Sequence, residues 1–212
     1  MGPNGSSTEY IRKSGIPELF VGLDYHNQYF TIGVGAELMS LKMRDETDAG
    51  YKVSERLTTI SAEAHAKYKK GKFLVAGKTF LTSNMTMLNT LGGYGVSDED
   101  PRTGKREYSP IRISHSWLNF AYGSRWRMNF LGGYAKNLGA SKAVTELVGI
   151  GTNIDQTLTA VLGVSYNLPH WKCGLEYNTT TAWYGDNTLK GKVKNTHALT
   201  NHRLMLTMQY SF

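Results

Sequence analysis

The last strand of this chain constrains its fold more than any other feature. Leu204, Leu206, Met208, Tyr210 and the terminal Phe212 occupy alternate positions, and Arg203, Thr207, Gln209 and Ser211 lie between them, with Met205 the one apolar exception. Side chains of a strand point to opposite faces with period two, so this segment has one apolar face and one polar face. An aromatic residue closing such a strand is expected where a transmembrane β-barrel strand stops at a membrane interface. The usual polarity is then inverted: the apolar face meets lipid and the polar face meets a water-filled interior.

The same alternation recurs along 212 residues and gives nine expected strands, at about 17–25, 29–42, 56–68, 72–83, 110–122, 126–138, 155–168, 171–184 and 197–212. Each reaches the roughly 9–11 residues a tilted membrane strand needs. In the second, Phe30, Ile32, Val34, Ala36 and Leu38 oppose Thr31, Gly33, Gly35, Glu37 and Met39. In the seventh, Leu158, Ala160, Leu162 and Val164 oppose Thr157, Thr159, Gly163 and Ser165. The fifth is ambiguous, because Ile111, Ile113 and Trp117 are out of phase with Leu118, Phe120 and Tyr122; a bulge there would reconcile them. Residues 1–16 read as an N-terminal tail or the remnant of an outer loop, ahead of barrel strands over 17–212.

Connections alternate in length. Short turns fall near Asn27, Lys70, Ser124 and Pro169, and long polar ones over 43–55, 84–109, 139–154 and 185–196. This is the pattern of short periplasmic turns and long outer loops. Tyr25 and Tyr29, Tyr68 and Phe73, Tyr122 and Trp126, and Tyr166 and Trp171 flank the four short turns, as an interfacial girdle would. No run of about 18 apolar residues is present. The first eight residues lack the charged and apolar regions of a secretory signal. Nine strands ending at the periplasmic side would begin at the outer side, which is the wrong parity for a single-chain barrel. The expectation is therefore the C-terminal part of a larger barrel, with a small complete barrel of eight or ten strands as the alternative.

The polar face supplies candidate pore-lining residues: Lys67, Lys72, Lys78, Arg112, Arg127, Lys172, Arg203, Glu37, Glu63 and Glu176, with His65 among them. Basic groups exceed acidic ones seven to three, and a lumen so lined favours anions. Arg112, Arg127 and Lys172 are candidates for a ladder that orients carboxylate or phosphate groups. Pairing of these cations with Glu37, Glu63 and Glu176 across the wall is the structural alternative. The longest loop, 84–109, could fold inward as a constriction, its Leu91-Gly92-Gly93-Tyr94-Gly95 run allowing tight bends.

Other chemistry is poorly supported. The six histidines show no metal-ligand spacing, and neither Ser114 nor Ser116 shares a strand face with His115. The cations are dispersed rather than clustered as nucleic-acid binding requires. Cys173 is the sole cysteine, so no internal disulfide forms. No catalytic, metal or cofactor site is expected.

Tyr94-Gly95-Val96-Ser97, Ser116-Trp117-Leu118, Tyr122-Gly123 and Gly133-Tyr134-Ala135-Lys136-Asn137-Leu138-Gly139 occur in order. Asn153-Ile154-Asp155-Gln156, Ser165-Tyr166-Asn167-Leu168-Pro169-His170-Trp171-Lys172, Tyr184-Gly185, Thr196-His197 and Asn201-His202-Arg203 follow. Together, over residues 17–212, these resemble the C-terminal half of Bacteroides-type outer-membrane porins, which are similar to trimeric dicarboxylate-type porins. The resemblance implies a barrel of about sixteen strands in the outer membrane of a Gram-negative bacterium, a homotrimer, and passive diffusion of small, often anionic solutes. A plugged structural or adhesive barrel acting through its outer loops, and a soluble lipocalin-like binder, are the alternatives.

Overall fold

The computed structural model describes residues 7–212, apart from the side chain of Met87, so part of the expected tail lies outside the described residues. It contains a short helix α1 (Glu9–Ser14), a single 3₁₀ turn at Thr86–Leu88, and eleven strands among the described residues. The strands are β1 (Leu19–His26), β2 (Phe30–Lys42), β3 (Arg56–Lys70), β4 (Phe73–Ser83), β5 (Gly92–Glu99) and β6 (Arg106–Gly123). They continue as β7 (Trp126–Gly139), β8 (Thr145–Ile150), β9 (Ile154–Asn167), β10 (Trp171–Asn187) and β11 (Val193–Tyr210). Nine form one antiparallel wall in the order β1-β2-β3-β4-β6-β7-β9-β10-β11, matching the nine strands read from the alternation. The chain is thus an all-β, up-and-down meander of the transmembrane-barrel kind, and the sheet is open, with β1 and β11 at its edges.

The wall is staggered as a barrel wall must be. The paired row that starts at Thr31, beside the first short turn, runs through Lys67, Ala76, Asn119, Leu131, Val161 and Asn178 to Arg203. It meets β11 well inside that strand, which continues to Tyr210. Neighbouring strands are therefore displaced along their length, and the short turns lie on a line oblique to the hydrogen bonds.

Register also fixes the two faces. Leu23, Val34 and Ala64 align on one face, as do Phe120, Phe130, Leu162, Tyr177 and Leu204. These residues look outward. On β11, Leu204, Leu206 and Met208 are 69%, 67% and 68% exposed, so they form no part of a packed centre. Ring pairs line the short-turn end: Trp126 with Tyr166 at 4.7 Å, Trp171 with Tyr210 at 5.0 Å, and Tyr68 with Phe73 at 6.2 Å between centroids. Asn27 closes the first turn, its Oδ1 accepting from the amides of Tyr29 and Phe30 at 2.8 and 2.7 Å.

The packed cores lie elsewhere, on the inward face at the long-loop end. In one, Met39 and Leu41 of β2 and Leu57 of β3 meet Tyr10 of α1, Met43, and Tyr94 of β5. In the other, Ile111 and Ile113 of β6 and Ala135 of β7 meet Ala140 and Val144. The roof is built by β5, which pairs with the outer half of β6 and with β8. Two long loops thus carry strands of their own. Segment 84–109 does fold onto the inward face, where Gly93 and Gly95 serve close contact, while Gly104 takes a positive φ of 67° in the turn before β6. Gly93 faces Gly149 across β5 and β8, and a Cβ on Gly93 would come within 2.0 Å of the Val148 carbonyl oxygen.

This roof resolves the ambiguous fifth segment. The β4–β6 register runs unbroken from Phe73↔Tyr122 to Ser83↔Arg112. Ile113, His115 and Trp117 all face inward, while Leu118, Phe120 and Tyr122 face outward, so no bulge separates them. The irregularity sits earlier, between Arg112 and Ile113 where β6 meets β7. Both faces are apolar here because loops cover the inner one. The expected last loop, 185–196, is mostly strand: β10 and β11 extend to Asn187 and from Val193.

Asn137 ties the tip of that tall hairpin to the wall. Its Nδ2 donates to the Gly191 carbonyl at 3.0 Å, and its Oδ1 accepts from the Gly139 amide at 2.8 Å, all of it buried. Asn137→Ala leaves both backbone groups without these partners and is expected to cost about 1–3 kcal/mol. Denaturant unfolding should show the loss, and hydrogen exchange should place it at residues 187–193.

Candidate solute-facing site

The polar face splits into two differently satisfied halves. Across β1–β4 the charges of Asp24, Glu63, His65 and Lys78 answer one another. The Lys78 ammonium contacts the Glu63 carboxylate directly. His65 Nε2 lies 3.3 Å from Asp24 Oδ1, and its Nδ1 lies 3.6 Å from Glu63 Oε1. Glu37, deeper on β2, is buried, and its Oε1 has no hydrogen-bond partner among the described residues. Lys67 is exposed on the same face, and Lys72 sits in the β3–β4 turn. For Glu63 and Lys78, then, cross-wall pairing is the observed state.

Across β7–β11 the charges converge without pairing. Arg127 (β7), Lys172 and Glu176 (β10) line one inward recess of about 250 Å³ with Asn129, Ser165 and Thr207. None of the three charged groups forms an ion pair or side-chain hydrogen bond with another described residue. Register explains the grouping. Arg127 aligns with Ser165, Gly174 and Thr207 in one row, and Asn129 aligns with Gly163 and Glu176 in the next. Arg203 lies one row beyond, opposite Asn178, with its guanidinium 3.3 Å from the Met205 sulfur. Arg112 belongs to neither half: it aligns with Ser83 on the outward face, at the long-loop end. The expected ladder of Arg112, Arg127 and Lys172 is therefore not assembled on one face. Apolar Ile111 and Ile113 had implied that Arg112 was inward, whereas they are the inward residues, under the loop roof.

His115 stacks on Phe80 at 4.7 Å on the inward face. Ser114 and Ser116 point outward, and Ser116 Oγ lies 2.9 Å from Thr79 Oγ1.

At the long-loop end the acidic and basic tracts are one another's partners. Glu55, its side chain 6% exposed, receives four hydrogen bonds. Arg44 Nε and a terminal guanidinium nitrogen donate at 2.7 and 2.9 Å, the Arg106 amide at 2.7 Å and the Tyr108 hydroxyl at 2.9 Å. Arg106 continues to Glu99 at 2.7 Å and Glu146 at 2.8 Å. Burial works against ionisation of Glu55, yet the bonds from Arg44, Arg106 and Tyr108 outweigh it and hold the carboxyl below its ordinary value. Asp45, bonded by Lys13 and then Lys42, is drawn down to about 2. Glu55 escaped the sequence reading because its partners lie 11 to 53 positions away, at no regular spacing.

No family model matches the sequence, and no curated protein is a significant match. The fold is similar to that of the outer membrane channel DcaP of Acinetobacter baumannii, with a TM-score of 0.63 at 10% sequence identity. The likeness covers 93% of this chain and 52% of that one, so the chain spans about half the length of the channel whose fold it shares.

Proposed function

We infer that the chain is wall of an outer-membrane porin for passive diffusion of small hydrophilic solutes, anionic ones preferred. One observation carries the reading: Leu23, Val34, Phe120, Phe130, Leu162, Tyr177 and Leu204 turn outward into an exposed apolar band, while Lys67, Arg127, Lys172, Glu176 and Arg203 occupy the inner face. Such a surface is stable only against lipid, and the likeness in fold to an outer membrane channel supports the same placement. Open edges at β1 and β11 cannot face hydrocarbon, so in the membrane they pair with further strands of a larger barrel, about sixteen in the resemblance to Bacteroides-type porins. That resemblance also argues for a homotrimer in a Gram-negative outer membrane. Lys67, Arg127, Lys172 and Arg203 give the inner face its positive balance.

Planar-bilayer recording tests this. Steady ion-permeable steps are expected, with a reversal potential in a salt gradient that favours chloride over potassium. Arg127→Gln with Lys172→Gln should bring the anion-to-cation permeability ratio down toward one. A silent bilayer would instead support a plugged structural barrel. The packing of α1, β5 and β8 on the inward face is what gives that second reading its weight.

A further inference from the structure

The unpaired trio of Arg127, Lys172 and Glu176 has a built floor. Gly163 and Gly174 sit between these side chains, on adjacent rows of β9 and β10. Glycine within a strand weakens it and frequently marks a place kept open for close approach. Neither residue needs glycine for its own backbone. Neither has a positive φ, and a Cβ on Gly163 or Gly174 would meet nothing nearer than 3.7 Å. The contrast with Gly93, whose Cβ would collide with backbone, is direct. At these two positions the missing side chains open the recess and relieve no clash.

The charges around that floor are of mixed sign. Two cations and one carboxylate leave a single positive excess, which disfavours simple cations. Glu176 in the same recess repels a second carboxylate of a dianion. A solute with one carboxylate and one ammonium group satisfies all three at once. Asn129, Ser165 and Thr207 offer amide and hydroxyl groups for the remaining hydrogen bonds.

Resting on the channel reading above, we propose that this recess is a binding station for small amino carboxylates. The carboxylate lies between Arg127 and Lys172, where guanidinium and ammonium both donate to it. The ammonium group lies against Glu176. The β1–β4 half of the wall, whose Glu63, Lys78 and His65 are occupied with one another, takes no comparable part.

β-Alanine and propionate differ by the ammonium group alone, so their rates of entry into proteoliposomes carrying the full chain, read by swelling, test the station. The wild-type protein should admit β-alanine faster than propionate and saturate with β-alanine. Glu176→Gln should lower the β-alanine-to-propionate ratio about three- to fivefold, the worth of one partly exposed ion pair. Gly163→Leu and Gly174→Val fill the floor without backbone conflict and should abolish saturation. Gly132→Val, on the outward face of β7 where a Cβ would meet nothing nearer than the Phe130 ring at 3.9 Å, should keep both saturation and the ratio. Equal rates in the wild type, or a ratio unmoved by Glu176→Gln, overturn the station while leaving the channel standing. Absence of swelling with both probes together with a silent bilayer defeats the channel reading, and the station with it.

Discussion

Leu162→Arg is expected to destabilise the membrane-inserted protein by about 2–4 kcal/mol, the cost of a cationic side chain at the lipid midplane of a barrel. Leu162 lies outward on β9 between Phe130 of β7 and Tyr177 of β10. It is 57% exposed. That exposure makes the test discriminating. Were this surface bathed in water, replacing a half-exposed leucine by arginine would fall within about 0.5 kcal/mol of neutral. Against hydrocarbon, the guanidinium must be desolvated or must drag water inward. Asn201→Arg is the matched change on the inner face, aligned with Thr180. It is expected to stay close to neutral, because that face already carries Arg203. Urea unfolding in lipid vesicles reads both variants, and equal small effects would show that the two faces do not see different solvents.

The same contrast of solvents explains what could be read from the sequence. In the proposed placement, lipid on one side and water on the other impose period two, so the nine wall strands, their short turns and the rings flanking those turns were legible from alternation; which ring meets which, Trp126 with Tyr166 and Trp171 with Tyr210, is set by the register. Where protein replaces either solvent, the period loses its meaning. β5 is buried on both faces from Gly92 to Val96, so no polar row betrays it as a strand. Met39 and Leu41 are inward yet apolar because α1 and β5 cover them. Ile111 and Ile113 are apolar for the same reason, and they shifted the phase assigned to Arg112. Past the membrane level, β10 and β11 are flanked by water and other loops, and their extension left no pattern to read. Arg127, Lys172 and Glu176 were legible one at a time from parity. Their convergence was not, because it depends on which residue of β7 stands beside which residue of β9 and β10.

Glu55→Ala should open the roof of the inner face, at a cost of about 3–5 kcal/mol for removing one partner from a buried charged network. All four bonds that Glu55 receives come from donors: two from Arg44, one from the Arg106 amide and one from Tyr108. Its removal leaves the Arg44 guanidinium, only 16% exposed, facing no carboxylate at this point. Glutamine is no remedy, because one of its terminal atoms is itself a donor and must oppose another donor. Amide exchange over Tyr94–Glu99 should therefore accelerate roughly a hundred- to several-thousandfold in Glu55→Ala. Glu107→Gln, which breaks the exposed pair with Lys142, should leave that exchange essentially unchanged. The sign of the pH dependence follows from the lowered value of Glu55. The folded state binds this proton less readily than the unfolded chain, so its stabilisation is complete above the ordinary value of 4.5. It is lost as pH falls below that, through the value in the folded protein. Protection of β5 amides, taken relative to their intrinsic exchange rate at each pH, should fall on acidification below about pH 4.5 in the wild type, and Glu55→Ala should flatten that fall. A wild-type profile that is flat down to the range where Asp45, near 2, takes its proton would mean that Glu55 does not hold the roof in place.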